Sequence, residues 1–313
     1  MVDLIDPRGE KTNVSASSVE IQWPRGLVGQ RIGFFGNGKS NVEGFFSKWT
    51  ELAIHEGAVD TLTLMKEGPM AAGGAERYQK FKEVTNLVVV GVCDGGTAAS
   101  QGAIDAATLA ELGVPTILIC TDAFAGLAKV SLPEGCDGVR VMEMPHPLSS
   151  LTSRQTDELA MKSFVELKSL LATEPEVTSD GNNIKTPHYD KISKTTNDLA
   201  KMPKCDQDYS GSALLLDLGV SDGLPVFLPT KERVNKILNF WPSPQIDDSS
   251  LVVPPRNGLA TPAVIAANAV MTGMPPHIAP YIAAAMQALC APDFQVFNLQ
   301  TTTNPVTPVI VVG

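Results

Sequence analysis

The chain has 313 residues, of which 43% are hydrophobic and 19% are charged, and this composition is typical of a globular core. Its 24 Lys and Arg residues against 34 Asp and Glu residues give a formal net charge of -10, which argues against a nucleic-acid or anionic-membrane partner. The amino end lacks the apolar run of a signal peptide, and no stretch is long enough to span a membrane. We therefore expect a cytoplasmic protein, with two domains favoured over one at this length.

Arg31 begins the first clear predicted strand, which covers residues 31–35. It is followed by the turn 37–41 and a helix that ends near residue 57. A second strand is predicted over residues 59–66. A Gly/Ala-rich loop and another helix then lead to a third strand that starts at Leu87.

The stretch 86–124 is the most informative part of the chain, because it has the pattern of strand, glycine turn, helix and second strand. The strands are expected over residues 87–92 and 116–120, since both runs are almost wholly apolar, as in a buried parallel sheet. The intervening helix is predicted over residues 98–112. This βαβ unit predicts a doubly wound α/β domain, similar to flavodoxin and Rossmann folds, in the first 171 residues.

The turn inside this unit is the first candidate site, because ligands of such sheets bind beyond the carboxyl ends of the strands. Asp94 is a candidate acid, base or metal ligand, and Cys93 is a candidate nucleophile beside a helix start. The remaining residues expected to bind substrate there are Gly95, Gly96, Thr97 and Ser100. A simpler interpretation is a tight glycine turn with Thr97 as the helix cap.

Two further turns are expected at the same sheet edge. Asn37 and Lys39 follow the first strand, and Lys39 is a candidate to meet a substrate carboxylate or phosphate. His146 lies between two prolines after the predicted strand 139–144, and we interpret it as a catalytic or metal-binding residue, although a solvated loop histidine has the same pattern. A helix over residues 153–171 closes the domain.

The five cysteines are odd in number and lack paired spacing, which favours reduced thiols: Cys93, Cys120, Cys136, Cys205 and Cys290. No HxxxH or CxxC spacing occurs, so the sequence predicts no metal site from local motifs. The cofactor, if there is one, is unknown from the sequence.

Residues 172–258 are predicted to be a linker and an irregular α/β excursion, with polar residues over 172–203. Strands are predicted over 213–218 and 226–228, and a helix over 231–240. Residues 259–313 form a third region with two helices, 261–271 and 276–289.

The last predicted elements are strands over residues 294–299 and 308–313. Thr303 and Asn304 lie in the turn between them and are candidates to bind substrate, although an Asn-Pro turn gives the same pattern. Because an uncovered apolar edge strand promotes aggregation, either the terminus is tucked into a sheet within this chain or a second polypeptide completes that sheet, and we expect an oligomer. A second chain that continues the sequence after Gly313, by splitting or self-cleavage, is one such partner.

The quoted turns carry a resemblance to a known family. The segments that carry it are the DxGxxxS turn at Asp94, "LGVPT", "TDAF", "PHPL" and the turn "NGKSN" over 37–41. Through them the chain resembles the UGSC-type family over about residues 28–170. That family is named for a Sec/Cys-Gly-Ser-Cys motif. A weaker likeness extends to selenoprotein B subunits of glycine reductase. The segment from Leu259 onward is similar to a domain that accompanies UGSC-type domains in longer proteins.

This chain departs from the family motif at both redox positions. Gly95 stands at the selenocysteine or cysteine position, Gly96 and Thr97 replace Gly-Ser, and Ala98 replaces the second cysteine. We therefore expect an enzyme or enzyme subunit that acts on a small polar or anionic substrate by hydrolysis, hydration or elimination. The alternatives are a thiol-dependent reductase that uses Cys93 and a non-catalytic subunit that binds a ligand or scaffolds a partner.

Overall fold

The computed structural model describes residues 4, 5, 7, 21–133, 136, 138–173, 207–217, 223–242, 251–255 and 258–312. The chain divides into two compact units. We call residues 14–182 with 301–306 the sheet unit, and residues 1–13, 183–300 and 307–313 the helical unit. Most of the predicted polar linker, namely residues 174–206, lies outside the described residues, and so does Cys205.

The sheet unit contains a parallel sheet of five strands, and this confirms the predicted doubly wound α/β fold. The strands are β1 (Arg31–Gly36), β2 (Asp60–Met65), β3 (Leu87–Cys93), β4 (Thr116–Thr121) and β5 (Val139–Met144). Their order in space is β2-β1-β3-β4-β5, and all neighbours run in the same direction. This is the flavodoxin-like order, in which ligand sites lie at the carboxyl edge where the winding reverses.

Five helices cover the two faces of this sheet. They are α1 (Val42–His55), α2 (Ala75–Val84), α3 (Gly96–Glu111), α4 (Asp122–Ser131) and α5 (Ser153–Ala172). One hydrophobic core includes residues of α1 and α5, and the other includes residues of α2, α3 and α4. Because the sheet is buried on both faces, every residue of β3 and β4 is buried, as their continuous apolar runs indicated.

Local signals in the sequence explain where several helices begin and end. Thr152 and Gln155 form a capping box at the start of α5. Gly113 follows α3 with φ 88°, the left-handed conformation that glycine adopts without a steric cost. Helix α3 begins at Gly96, two residues before the predicted start, which is within the usual uncertainty of helix boundaries.

The helical unit contains helices and a short hairpin, and this confirms the expected second α+β region. Its helices are α6 (Gln207–Asp217), α7 (Lys231–Leu238), α8 (Pro262–Met271), α9 (Ala279–Cys290) and α10 (Val296–Thr301), of which α10 ends at the boundary with the sheet unit. The antiparallel hairpin pairs β6 (Val252–Val253) with β7 (Gly258–Leu259). Thr261 caps α8 as predicted, because its hydroxyl accepts a hydrogen bond from the amide of Val264 at 3.3 Å.

Several predicted strands of the second half were wrong. Residues 213–217 belong to helix α6, and residues 296–299 belong to helix α10, which a 3₁₀ turn at Pro292–Phe294 precedes. No strand forms over residues 226–228 or 308–312. The physical reason is that a short apolar run fits a strand and a helix equally well, and leucine, as at Leu216, is a good helix former.

Candidate functional site

The carboxyl ends of four adjacent strands bring the main candidate residues to one edge of the sheet. Asn37 and Lys39 follow β1, Asp94 follows β3, and His146 follows β5. Thr121 ends β4, which lies between β3 and β5. The loops at this edge therefore place the predicted residues within one connected polar region, as hydrogen bonds between them show.

The turn after β1 is a rigid support for the turn after β3. The Asn37 side chain is buried, donates to the carbonyl of Val92 at 2.7 Å, and accepts from the amide of Lys39 at 3.2 Å. Gly38 has φ 75°, and a Cβ there would lie only 2.5 Å from the carbonyl oxygen of Lys66. Asn37 thus fixes the backbone, and the close approach at Gly38 excludes a side chain.

Asp94 is held from two sides, and both of its carboxylate oxygens have partners. Lys39 Nζ forms a close ion pair with Oδ1, while the Ser149 amide donates to Oδ2 at 2.9 Å and the Ser149 hydroxyl donates to it at close range. Burial raises the pKa of Asp94, but the hydrogen bonds from Lys39 and Ser149 outweigh it, so the pKa lies below its ordinary value of 3.8. This geometry favours a positioning role for Asp94 over proton transfer.

Lys39 presents its ammonium group to the start of helix α3. Its side chain is 23% exposed, and Nζ also donates to the carbonyl of Asp94 at 3.2 Å. Gly95 is the N-cap of α3, and a Cβ built there would lie 3.2 Å from Lys39 Nζ. An anionic atom beside Gly95 would therefore face both a fixed cation and the positive end of a helix.

His146 is exposed, but one side of its ring is anchored. Its Nδ1 lies 3.1 Å from the hydroxyl oxygen of Thr121, and its ring meets the ring of Phe124 edge-on with centroids 5.6 Å apart. The Thr121 hydroxyl also lies 3.5 Å from the carbonyl of Cys93. Thr121 thus links the ends of β3, β4 and β5 and contacts His146 through Nδ1, not through Nε2.

Cys93 and Ser100 lie in the interior and not at the open edge. Cys93 is fully buried, and its thiol donates to the carbonyl of Ala98 at 3.1 Å. Its hydrogen bond with Cys120, together with burial, raises the pKa of the Cys120 thiol well above its ordinary value. Ser100 is fully buried and accepts from the Ser131 hydroxyl of α4 at 3.3 Å. Neither the thiol of Cys93 nor the hydroxyl of Ser100 has the access that a nucleophile or substrate ligand needs.

The segment 301–306 lies against the turn after β3. The Thr301 hydroxyl donates to the Thr97 hydroxyl at 3.0 Å, and a Cβ on Gly96 would collide with the Thr301 carbonyl oxygen. Thr303 and Asn304 are exposed, and the Thr303 methyl lies 3.6 Å from that Cβ position. The predicted residue Thr303 therefore does lie beside the glycine turn, while Gly96 must lack a side chain because this segment passes so close.

Sequence reasoning missed Ser149 and Thr121 and undervalued Asn41. Asn41 adopts φ 68° and its side-chain amide donates to the carbonyls of Leu148 and Leu151 at 3.0 and 2.8 Å, which holds the loop that carries Ser149. The available signal was topological, since any polar residue just after β4 or β5 reaches the same edge as Asp94. The residue types of Ser149, Thr121 and Asn41 alone did not indicate a role at this edge.

A second polar cluster lies buried in the sheet unit. Lys66 Nζ is 2.5 Å from Asp105 Oδ2, and both side chains are nearly inaccessible. Oδ1 of Asp105 accepts from the Tyr78 hydroxyl at 2.7 Å, from Gln101 at 3.0 Å and from the Gly73 amide at 3.2 Å. Burial and the neighbouring Asp105 charge raise the pKa of Tyr78. Asp105 thereby ties the loop after β2 to helix α3.

Two cavities among the described residues are lined by residues away from this edge. One of about 420 Å³ is lined by apolar residues of α8, α9 and the hairpin of the helical unit. Another of about 610 Å³ lies at the amino end of β3 and β4, beside Asn86 and Pro115. Because neither contains the charged groups described above, the carboxyl edge is the better candidate site.

A metal-binding cluster and a membrane-spanning helix are both absent from the described part of the chain. Its His, Cys, Asp and Glu side chains form no group of three that could hold a metal ion. None of its helices has the combination of length and apolar character that crossing a membrane requires.

Comparison with known proteins identifies the family. A model of the UGSC family matches residues 3–173, which is more than half of the chain, and the chain therefore belongs to the UGSC family. Among curated proteins, none matches the chain.

Proposed function

We propose that this member of the UGSC family is an enzyme that acts on a small anionic metabolite by non-redox chemistry, as a hydrolase, hydratase or lyase. His146 is the proton-transferring group in this proposal, and Lys39 with the first turn of α3 binds negative charge. Asp94 holds Lys39 and Ser149 in place. We also propose that it acts in the cytoplasm and as an oligomer.

One observation carries this proposal: a partly exposed ammonium group and an exposed imidazole lie at the same carboxyl edge and are both held by buried partners. Lys39 is fixed by Asp94, and His146 is fixed by Thr121. A preorganised cation stabilises charge that develops in a transition state without having to reorganise. An imidazole exchanges protons near neutral pH, so the pair suits acid–base chemistry on an anion.

Two observations favour non-redox chemistry over a thiol-dependent mechanism. Cys93 is fully buried, and its thiol is engaged with the carbonyl of Ala98. The residues at the turn itself, Gly95, Gly96 and Thr97, carry no thiol.

A second candidate function is a subunit that binds its ligand without turning it over. The observation that favours it is the close approach of the Thr301 carbonyl to Gly96, which covers one side of the α3 turn with the chain's own backbone. Such a subunit would need a catalytic partner. Native mass spectrometry of protein purified from its source would detect a second polypeptide.

Turnover of a defined library of small carboxylates and phosphate esters, followed by mass spectrometry, tests the proposed function. We expect the full chain to convert at least one compound, and His146→Gln to lower that rate by about 100-fold or more, as loss of a general acid or base does. Lys39→Met should weaken binding of the same compound. Exposed His55 and partly exposed Lys48 provide matched controls, since His55→Gln and Lys48→Met should leave both quantities unchanged. Full turnover in His146→Gln would contradict the assignment.

A further inference from the structure

Thr121 occupies a helix-capping position but does not cap its helix. It is the N-cap residue of α4, with extended backbone angles of φ -71° and ψ 150°, and its side chain forms no capping hydrogen bond. A threonine at this position ordinarily accepts a hydrogen bond from an amide of the first helical turn. The hydroxyl has instead turned to His146 Nδ1 and the Cys93 carbonyl, at 3.1 and 3.5 Å.

This arrangement suits a group that must hold an imidazole in more than one protonation state. Thr121 is fully buried, whereas His146 is exposed, so a hydroxyl fixed in the interior holds a ring that a substrate can reach. A hydroxyl both donates and accepts. It can donate to the Cys93 carbonyl and accept from Nδ1–H of the ring. The neutral ring then has its lone pair on Nε2, and the same hydrogen bond to Thr121 is kept when Nε2 takes up a proton.

Phe124 restricts the same ring from a second direction. Its ring lies 5.6 Å from the imidazole, centroid to centroid, in an edge-on arrangement. Because Phe124 and Thr121 both belong to the start of α4, one rigid element sets the position of His146. A 180° rotation of the ring, which would put Cδ2 in the place of Nδ1, would break the hydrogen bond to Thr121.

We propose that Thr121 is a positioning residue that holds His146 through Nδ1, so that Nε2 is the nitrogen that exchanges protons with the substrate. This inference rests on the proposed function for the role of His146. It adds the identity of the reacting nitrogen and of the residue that selects it. Substituting Thr121 should therefore change which ring nitrogen of His146 is accessible. This change can be measured without a substrate.

Alkylation with iodoacetate measures that availability directly. Peptide mass spectrometry locates the modified histidine, and synthetic carboxymethyl-histidine standards identify the nitrogen. The measured quantity at each histidine is the ratio of Nε2 to Nδ1 modification. In the full chain we expect this ratio to be about tenfold higher at His146 than at exposed His55, because one hydrogen bond of typical strength protects Nδ1 of His146. Thr121→Val should bring the ratio at His146 to that at His55, and Thr121→Ser should restore it.

The matched control is Thr116→Val, which removes another fully buried threonine hydroxyl from the opposite end of β4. It should leave the His146 ratio unchanged. An equal ratio at His146 and His55 in the unaltered chain would overturn the inference, and that outcome does not depend on whether any variant folds. An unchanged ratio in folded Thr121→Val would overturn it as well. Because labelling needs no substrate, failure of the proposed function would appear separately, as full turnover in His146→Gln.

Discussion

The sheet unit contains two Lys–Asp pairs with the same chemistry and different surroundings. Lys66 and Asp105 are both nearly inaccessible, and the other carboxylate oxygen of Asp105 is satisfied by three further donors. Lys39 pairs with Asp94 at the carboxyl edge, where the lysine side chain keeps 23% of its surface exposed. The first pair therefore closes a structural network, while the second keeps a cation available to a ligand.

The difference arises from where each pair lies along the βα units. Asp105 is in the middle of α3, so its partners come from the packed interior. Asp94 precedes the same helix, so its partners come from the loops after β1 and β5. A charge in the interior must have its partners supplied by the fold, whereas a charge at the helix start can share its partner with a bound molecule.

The largest expected effect comes from breaking the buried pair. Asp105→Asn leaves the Lys66 ammonium buried without its counter-charge, and we expect the free energy of unfolding to fall by about 3–5 kcal/mol. Urea denaturation followed by circular dichroism measures this. Adding Lys66→Met to Asp105→Asn should recover much of the loss, because it removes the isolated charge while the asparagine keeps an oxygen for the Tyr78, Gln101 and Gly73 donors. If Asp105→Asn lowered the free energy of unfolding by less than Asp94→Asn does, the edge pair and not the buried pair would contribute more to stability.

Breaking the edge pair should cost less stability and should change its pH dependence. Asp94→Asn removes a charged acceptor for Lys39 and Ser149, and we expect a loss of about 1–3 kcal/mol at neutral pH. The folded-state pKa of Asp94 lies below the ordinary value of 3.8, so its contribution is fully present above that pH and is lost as the pH falls through the folded-state pKa.

Denaturation of both proteins from pH 7 to pH 2 measures this dependence. The difference in free energy of unfolding between the unaltered chain and Asp94→Asn should be constant above about pH 5 and should shrink toward acid pH. A difference that grew on acidification would mean that Asp94 is protonated in the folded protein. That result would restore Asp94 as a candidate proton donor.

An effect of similar size should follow from adding one methyl group under the segment 301–306. Gly96→Ala places a Cβ against the Thr301 carbonyl oxygen, so the segment must move, at a cost of about 1–3 kcal/mol. Gly126→Ala is the matched control, because Gly126 lies in helix α4 with open space around it and should gain stability. Hydrogen exchange of residues 301–306 should accelerate only in Gly96→Ala. Equal exchange in both variants would show that the segment does not rest on the turn.

The smallest expected effect is at Cys93. A fully buried thiol that donates to the Ala98 carbonyl should react with a thiol reagent only when the protein opens. Mass spectrometry after brief labelling of the folded chain should find Cys136 modified, since it is partly exposed, and Cys93 unmodified. Rapid labelling of Cys93 in the folded chain would revive the thiol-dependent alternative.

The sheet unit could be predicted from the sequence because its patterns agree at every level. The apolar runs of β3 and β4, the glycine after α3 and the proline beyond it all indicated the same βαβ unit. In the helical unit the short apolar runs lacked such agreement. Residues 296–299 are mostly apolar, as in a short strand, but the Pro292–Phe294 turn leads them into helix α10. Tertiary context decided between the two structures there.

The candidate site was predicted in position but only partly in composition. Lys39, Asp94 and His146 were accessible to sequence reasoning because each follows a strand at the same edge. Thr121 and Ser149 were not, because the orientation of a hydroxyl depends on contacts between loops far apart in the chain. The role of Asp94 also required the structure, since only the structure shows that Ser149 and Lys39 occupy both of its oxygens.

The carboxyl edge beside Gly95 should stabilise an anion, and a thiol placed there measures this property most directly. Gly95→Cys, in a background where Cys136, Cys205 and Cys290 are replaced by serine, puts a sulfur atom next to Lys39 Nζ and the start of α3. The pKa of the introduced thiol follows from the pH dependence of its alkylation. Gly126→Cys in the same background is the control, because that position has open space around it.

We expect the pKa of the thiol introduced by Gly95→Cys to fall to about 7 or below, as at helix starts beside a cation, and that of the Gly126→Cys thiol to stay near about 8.5. Adding Lys39→Met to the Gly95→Cys variant should raise the pKa of its thiol toward the control value. A pKa in Gly95→Cys equal to or above that in Gly126→Cys would contradict an anion-stabilising site at this edge.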